Sequence, residues 1–487
     1  MLAVALDPGG RRPLGDQLYE QIRDLVLEGR LKPGERLPST RALAAELGVS
    51  RTTTVSAYAQ LESEGYLESR TGAGTFVSPE LGAAILRGVS TELGANRPHG
   101  QSTTPARPDG APFDPRMPDT RRFPFARWSR ALARWWRAPG ADVMRGDDPA
   151  GHPALRAEIA AHLRCLRGLA CTAEQVIVTS GVVESLGLIV RALLSGGATV
   201  AVEEPGFPPA ARTLAAAGTR IMPIPVDREG LMFDAVAPEN ASVRAVVVAP
   251  SRHYPLGHTL SVSRRLALIA WAEATGGLLI EDDYDSEYRF RGRPLAALMS
   301  LDRTGHVIYL GSFSKVMFRS LRLAYMVLPP RLIEPVRATL AAEGPAASWV
   351  PQPALAEFMA SGEFAMHIRR MRRLYAGRQR ALLAALDGPL RDFLHAPEQD
   401  AGMHVTALFR DGLAARTTDR EASARAAEAG IVAAPLSACY RQEPKAHGFV
   451  LGFAGFDEQE IATGAAALSE VLAGCLGKGR PAATRRR

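Results

Sequence analysis

Residues 307–315 read Val-Ile-Tyr-Leu-Gly-Ser-Phe-Ser-Lys, an apolar run that ends in two hydroxyls and a lysine. So short and apolar a segment is the pattern of a strand buried on both faces, and Lys315 arrives just past its carboxyl end. The lysine is itself informative. Of 58 basic residues only Lys32, Lys315, Lys445 and Lys478 are lysines, so arginine serves nearly everywhere that positive charge suffices. An amine can do what a guanidinium cannot: it can lose its proton and form a Schiff base.

Working outward, similar apolar runs stand at 175–178, 199–202, 244–248, 277–280 and 306–310, separated by helical patterns. Alternation of this kind predicts a mostly parallel sheet covered on both faces, with its chemistry beyond the carboxyl ends of the strands. A second such end is Leu278-Leu279-Ile280 running into Glu281-Asp282-Asp283-Tyr284-Asp285. Together the two ends hold the groups that pyridoxal phosphate requires. Lys315 would form the imine, Asp282 would hold the pyridine nitrogen protonated, and Tyr284 would meet the ring oxygen. Ser312, Ser314 and Arg322 would take the phosphate. Thr179-Ser180-Gly181, after one strand and before a helix, is a further anion cradle, and Phe207 in Glu204-Pro205-Gly206-Phe207 is placed to stack on the ring. The acidic run lacks the glycine of a calcium loop and no metal is expected. Gly-Ser-Phe-Ser-Lys is not a phosphate loop either, because GxxxxGK is absent.

The first 80 residues are of another kind. Leu18, Ile22, Leu25 and Val26 recur at helical spacing, and Ser39-Thr40 caps a short helix with Leu43, Ala44 and Leu47 inward, closed by Gly48. Ser50 caps a third helix carrying Val55, Tyr58, Ala59 and Leu61 before Gly65. Two short strands follow around Thr71-Gly72-Ala73-Gly74. That order is a winged helix-turn-helix, whose second helix meets DNA with its first turn, here Ser50-Arg51-Thr52-Thr53. Arg41 lies one helix earlier, and Arg70 flanks the wing tip at Gly72.

The stretches PGERLPSTRALAAELGVSRTT and YAQLESEGYLESRTGAGTFV resemble the GntR-type winged helix. FDPRMPDTRRFP, DDPAGHPALRAEIAAHLRCLRG, EDDYDSEYRFRGRP, VIYLGSFSK, HIRRMRRLY and LGFAGF resemble the class I aminotransferases, and the combination is that of MocR/PdxR-type regulators. The resemblance implies a multidomain chain. A winged helix-turn-helix (α+β) would occupy 1–78, a flexible linker 79–112 and an α/β fold-type-I aminotransferase-like domain 113–477, with a smaller C-terminal α+β subdomain. A basic tail, 478–487, would follow. The resemblance also implies DNA contacts at Arg41, Ser50, Arg51, Thr52, Thr53, Arg70 and Gly72. It implies cofactor contacts at Lys315, Asp282, Tyr284, Tyr254, Phe207, Ser180, Gly181, Ser312, Ser314 and Arg322, with an internal aldimine on Lys315. The assembly expected is a head-to-tail homodimer.

Several positions depart from the family pattern. Relatives usually read P-S-H-Q-F-P-T-G where this chain has Pro250-Ser251-Arg252-His253-Tyr254-Pro255-Leu256-Gly257. Val183 stands for a glutamine, Arg145 for a tyrosine and Arg319 for a proline. Leu451-Gly452-Phe453-Ala454 lacks the arginine by which many aminotransferases hold a substrate carboxylate. The function expected is a pyridoxal-phosphate-dependent transcriptional regulator that binds operator DNA and senses the cofactor or an amino compound at Lys315. It would be a sensor rather than an enzyme, with a transamination half-reaction within its chemistry. The alternative is a working aminotransferase with an accessory DNA-binding domain.

Composition fits that picture. Apolar residues make up 46% and charged residues 22% of 487, as in globular protein. No apolar stretch reaches the 18 residues of a membrane span, the N-terminus lacks a secretory signal, and four cysteines without CxxC spacing fit a reduced cytoplasmic protein. Net charge is +7, five of it in the last ten residues; residues 1–80 carry nine basic and eleven acidic side chains. Overall basicity is therefore no argument for nucleic acid.

Overall fold

The computed structural model describes residues 4–9, 12–70, 73–79, 111–194, 196–232, 242–292, 295–397 and 399–477. The chain forms two compact units, Met1–Pro105 and Ala106–Arg487. The expected linker falls on 79–112 and the expected tail on 478–487. Residues 80–110 and all of the tail lie outside the described residues, and by Ala111 the chain is buried again. No described helix is long and apolar enough to cross a membrane.

In the first unit α1 (Leu14–Leu27), α2 (Thr40–Leu47) and α3 (Arg51–Ser63) precede a hairpin of β1 (Leu67–Arg70) and β2 (Gly74–Val77). Leu18, Ile22, Leu25, Val26, Leu43 and Leu61 are buried in one core, as their spacing requires. The stripe of α3 differs from expectation. Thr54, Ala57, Tyr58 and Leu61 face inward, while Val55 is 44% exposed and Ala59 is exposed as well. The cause is polar: Thr54 Oγ1 donates to Thr40 O at 3.0 Å and Tyr58 Oη to Pro38 O at 2.9 Å, which fixes the helix's rotation against α2.

The second unit is built on an eight-stranded sheet of order β3-β10-β9-β8-β7-β4-β5-β6. The strands are β3 (Val176–Thr179), β4 (Thr199–Glu204), β5 (Arg220–Asp227), β6 (Gly230–Leu231), β7 (Val243–Val248), β8 (Leu278–Asp283), β9 (Val307–Ser312) and β10 (Ala324–Val327). From β9 to β5 every neighbour is parallel, whereas β10 runs antiparallel to both β3 and β9. Helices cover both faces, so the central strands are apolar until their carboxyl ends, where β4 and β8 run into Glu203-Glu204 and Glu281-Asp282-Asp283. A separate antiparallel sheet, β11 (Leu394–His395), β12 (His404–Phe409), β14 (Gly448–Gly452) and β13 (Ala434–Pro435), packs with the helices Glu363–Asp387, Asp419–Glu428 and Glu458–Gly477 as the smaller α+β part.

Candidate functional site

In the winged helix, Gly48 takes a left-handed φ of +66° at the end of α2, which turns the chain tightly enough for α3 to start three residues later. Ser50 Oγ accepts from Thr53 N at 3.1 Å and caps α3. Arg51 and Thr52 are exposed on that first turn and Arg41 is exposed on α2; no described residue pairs with either guanidinium. Arg70 is differently placed: it is salt-bridged to Glu68 at 2.5 Å and lies over the Phe76 ring. Gly72 lies outside the described residues. One basic group escapes a pattern search. Arg36 is exposed, bridges to Phe76 of the hairpin and lies against Gly74, so it belongs to the wing although it stands thirty residues earlier.

In the second unit the carboxyl ends of β4, β7 and β8 open onto a cavity of about 320 Å³. Asp282, Phe207, Tyr254, Glu203 and Glu204 line it. Strand alternation decides which acidic residues reach it. Asp282 faces the cavity, whereas Glu281 and Asp283 turn to the opposite face. There Arg167 Nε lies 2.8 Å from Asp283, Tyr309 Oη donates to Asp283 at 2.6 Å, and Leu298 N and Met299 N donate to Glu281. The acidic run is thus divided between two faces rather than gathered round one point.

Asp282 Oδ1 is buried with no described hydrogen-bond partner. Burial, then Asp283 and Asp285, push this carboxyl up to about 7 against the pull of Lys315. Lys315, half-buried past β9, donates to Pro115 O at 3.2 Å, and burial brings its amine down to about 8. Glu203, which the sequence did not single out, is pushed up to about 8 by burial although Ala249 N donates to it. Tyr284 Oη accepts from Arg252 Nη1 at 3.0 Å, and no described group accepts its own proton. An orphaned acid, a depressed amine and an unspent phenol proton at one sheet end fit pyridoxal phosphate: a pyridinium N–H, an aldehyde and a ring oxygen would answer them in turn. Phe207, 38% exposed, meets Tyr254 edge-on at 5.7 Å, and Tyr254 stands 6.1 Å from the Tyr284 ring.

The residues expected at the phosphate are related by strand register rather than joined by hydrogen bonds. Ala324 at the start of β10 pairs with Thr179 on one side and Ser312 on the other, so Thr179 and Ser312 stand two strand spacings apart, about 10 Å, and Ser180 and Arg322 follow at the same edge of the sheet. Ser312 Oγ accepts from Ser314 N, and Arg322 is exposed with no described partner. Gly181 caps the helix Val182–Leu193, but the anion position there is taken by the chain itself: Glu184 accepts from Ser180 N at 2.5 Å. Arg145, in place of the usual tyrosine, is exposed and pairs with Asp147.

Residues 14–77 match the bacterial regulatory proteins of the gntR family, and 115–468 match aminotransferase class I and II. The chain is 40% identical to the probable rhizopine catabolism regulatory protein MocR of Rhizobium meliloti over 471 residues, 95% of this chain and 94% of that one. It belongs to the MocR/PdxR-type regulators of the GntR family. Another member, the pyridoxine biosynthesis transcriptional regulator PdxR of Corynebacterium glutamicum, is 36% identical over 88% of this chain and 94% of its own. Among solved structures, LysN, an α-aminoadipate aminotransferase from Thermus thermophilus complexed with N-(5'-phosphopyridoxyl)-L-leucine, aligns with a TM-score of 0.67 and 27% identity. It covers 74% of this chain and 91% of its own. The family's members are HTH-type transcriptional regulators carrying an aminotransferase-like domain, a fold family that normally binds pyridoxal phosphate.

Proposed function

We propose that this chain is a cytoplasmic, homodimeric transcriptional regulator that binds operator DNA through α3 and the wing and takes pyridoxal phosphate, or an amino compound with it, at Lys315. The observation that carries the proposal is Asp282: a buried carboxylate oxygen without a partner, facing a cavity beside an amine whose proton is already loosened. Bound there, pyridoxal phosphate supplies an aldehyde that condenses with amines, with Lys315 as the anchoring nucleophile. Asp282 would hold the ring nitrogen, Tyr284 the ring oxygen, Phe207 and Tyr254 the ring's flank, and Ser312, Ser314 and Arg322 the phosphate, joined by Ser180 and Gly181 once Glu184 gives up Ser180 N. On the DNA side the guanidinium groups of Arg41, Arg51 and Arg36 have no partner among the described residues and the Thr52 hydroxyl is exposed, while Ser50 and Thr53, whose hydroxyls bond each other at 2.8 Å, hold the first turn of α3 in place.

A sensor is favoured over an enzyme by β14, whose residues are all buried and apolar or glycine, with no arginine for a substrate carboxylate. The test is the visible absorbance of the pyridoxal-phosphate-loaded protein on adding amines and then a keto acid. A sensor changes its spectrum and stops. Multiple turnovers with the keto acid would establish the aminotransferase reading instead, and a Lys315→Ala protein with an unaltered cofactor spectrum would remove the site.

A further inference from the structure

Arg252, in the loop that follows β7, is 4% exposed. A guanidinium so buried needs its donors matched. Nη1 donates to Tyr284 Oη at 3.0 Å and Asp285 Oδ2 at 3.1 Å and lies 3.2 Å from His404 Nε2, Nη2 donates to Gln399 Oε1 at 2.7 Å and His404 O at 2.8 Å, and Nε has no described partner. Gly402, with φ +96°, makes room: a Cβ there would lie 2.3 Å from Arg252 Cζ. Other charged or titratable groups also face this cluster. Asp285 and Tyr254 face Tyr284; Lys315 and Asp283 face Asp285; Lys315 and His253 face His404.

A phenol oxygen offers one proton and accepts others. Arginine is always a donor, so at Tyr284 the direction of the bond is fixed: the oxygen receives from Arg252 and its proton must go elsewhere. A histidine at the same place is able to accept that proton, because a neutral imidazole carries both a donor and an acceptor. No described group accepts it here, and Tyr284 stands at the same sheet end as Asp282 and Lys315.

We propose that Arg252 is a positioning residue for the cofactor: by donating to Tyr284 it commits the Tyr284 proton to the cofactor's ring oxygen, while its pair with Asp285 keeps the local charge balanced. This rests on the cofactor assignment above. Its role is exerted through the hydrogen bond to Tyr284.

A double-mutant cycle read by pyridoxal phosphate affinity and by the pH at which the visible band of the loaded protein titrates tests the proposal. Tyr284→Phe and Arg252→Met should each weaken cofactor binding about tenfold and move the band's titration in the same direction. The double variant should lose less than the two single changes added together, because the part of Arg252's effect that runs through Tyr284 is already gone. Arg252→Lys, which keeps a donor and a charge, should recover part of both readouts and serves if Arg252→Met does not fold. An Arg252 variant, Met or Lys, that shifts affinity and titration as much in the Tyr284→Phe background as in the wild type would overturn the proposal, since Arg252 would then not act through Tyr284. So would variants that lower only the melting temperature. A wild-type protein with no Lys315-dependent band would instead refute the cofactor assignment itself.

Discussion

Asp282 and Asp283 are neighbours in sequence with opposite tasks, and single substitutions separate them. Asp283 is salt-bridged to Arg167 in the interior. Replacing it with alanine strands that guanidinium and should cost about 3–5 kcal/mol of stability. Asp282 has no such partner. Its carboxyl titrates near 3.8 when the chain is unfolded and at about 7 when folded, so the folded state holds the proton more tightly. The stability this gives is complete below about 4 and is lost as pH rises through about 7. Pyridoxal phosphate, by offering a cationic ring nitrogen, should therefore raise the melting temperature more at pH 8 than at pH 5, and Asp282→Asn should level the difference. Thermal scans of loaded and unloaded protein at the two pH values decide this; an increment independent of pH would contradict the role given to Asp282. Lys315, brought down to about 8, should capture the aldehyde faster as pH rises from 6.5 to 8.5, because only the free amine attacks. Stopped-flow absorbance reads that slope. At this scale the sequence was generous: lysine scarcity drew attention to Lys315, and a strand running into carboxylates drew it to Asp282. Glu203 and Arg252 were not seen as site residues, because their significance lies in which strand ends and loops meet around them, and spacing along the chain does not carry that.

At the scale of elements, the winged helix was legible because its signals are local: Ser39 and Ser50 cap helices, Gly48 closes one, and a hairpin follows. The inward stripe of α3 was not, since two hydroxyls, Thr54 and Tyr58, are held by backbone carbonyls of α2 and its approach, and hydrophobicity alone places Val55 instead. In the large sheet the parallel strands were readable as apolar runs. The antiparallel β10 was not, nor was the alignment of Thr179, Ala324 and Ser312 across three strands, since pairing is long-range. Two predictions belong here. Removing the α3 cap by Ser50→Ala should cost about 1 kcal/mol, measured by chemical denaturation. Arg51→Ala should weaken operator binding and lower the slope of log affinity against log salt by about one, the mark of one lost phosphate contact. An unchanged salt slope would place Arg51 away from the DNA backbone.

At the scale of the whole molecule, regulation through two units requires one thermodynamic condition. A ligand at Lys315 alters operator affinity only if it binds the DNA-competent and DNA-incompetent states with different strength. Coupling of this kind is typically 1–3 kcal/mol, or about 5- to 150-fold in affinity, and is reciprocal: operator DNA must change the affinity for pyridoxal phosphate by the same factor. The most direct measurement is therefore operator affinity by fluorescence anisotropy, with and without saturating pyridoxal phosphate and a responding amine, for the wild type and Lys315→Ala. A shift of at least about fivefold is expected in the wild type and none in the variant, whose winged helix is untouched. Equal shifts in both proteins, or none in the wild type across a panel of amines, would contradict the coupling.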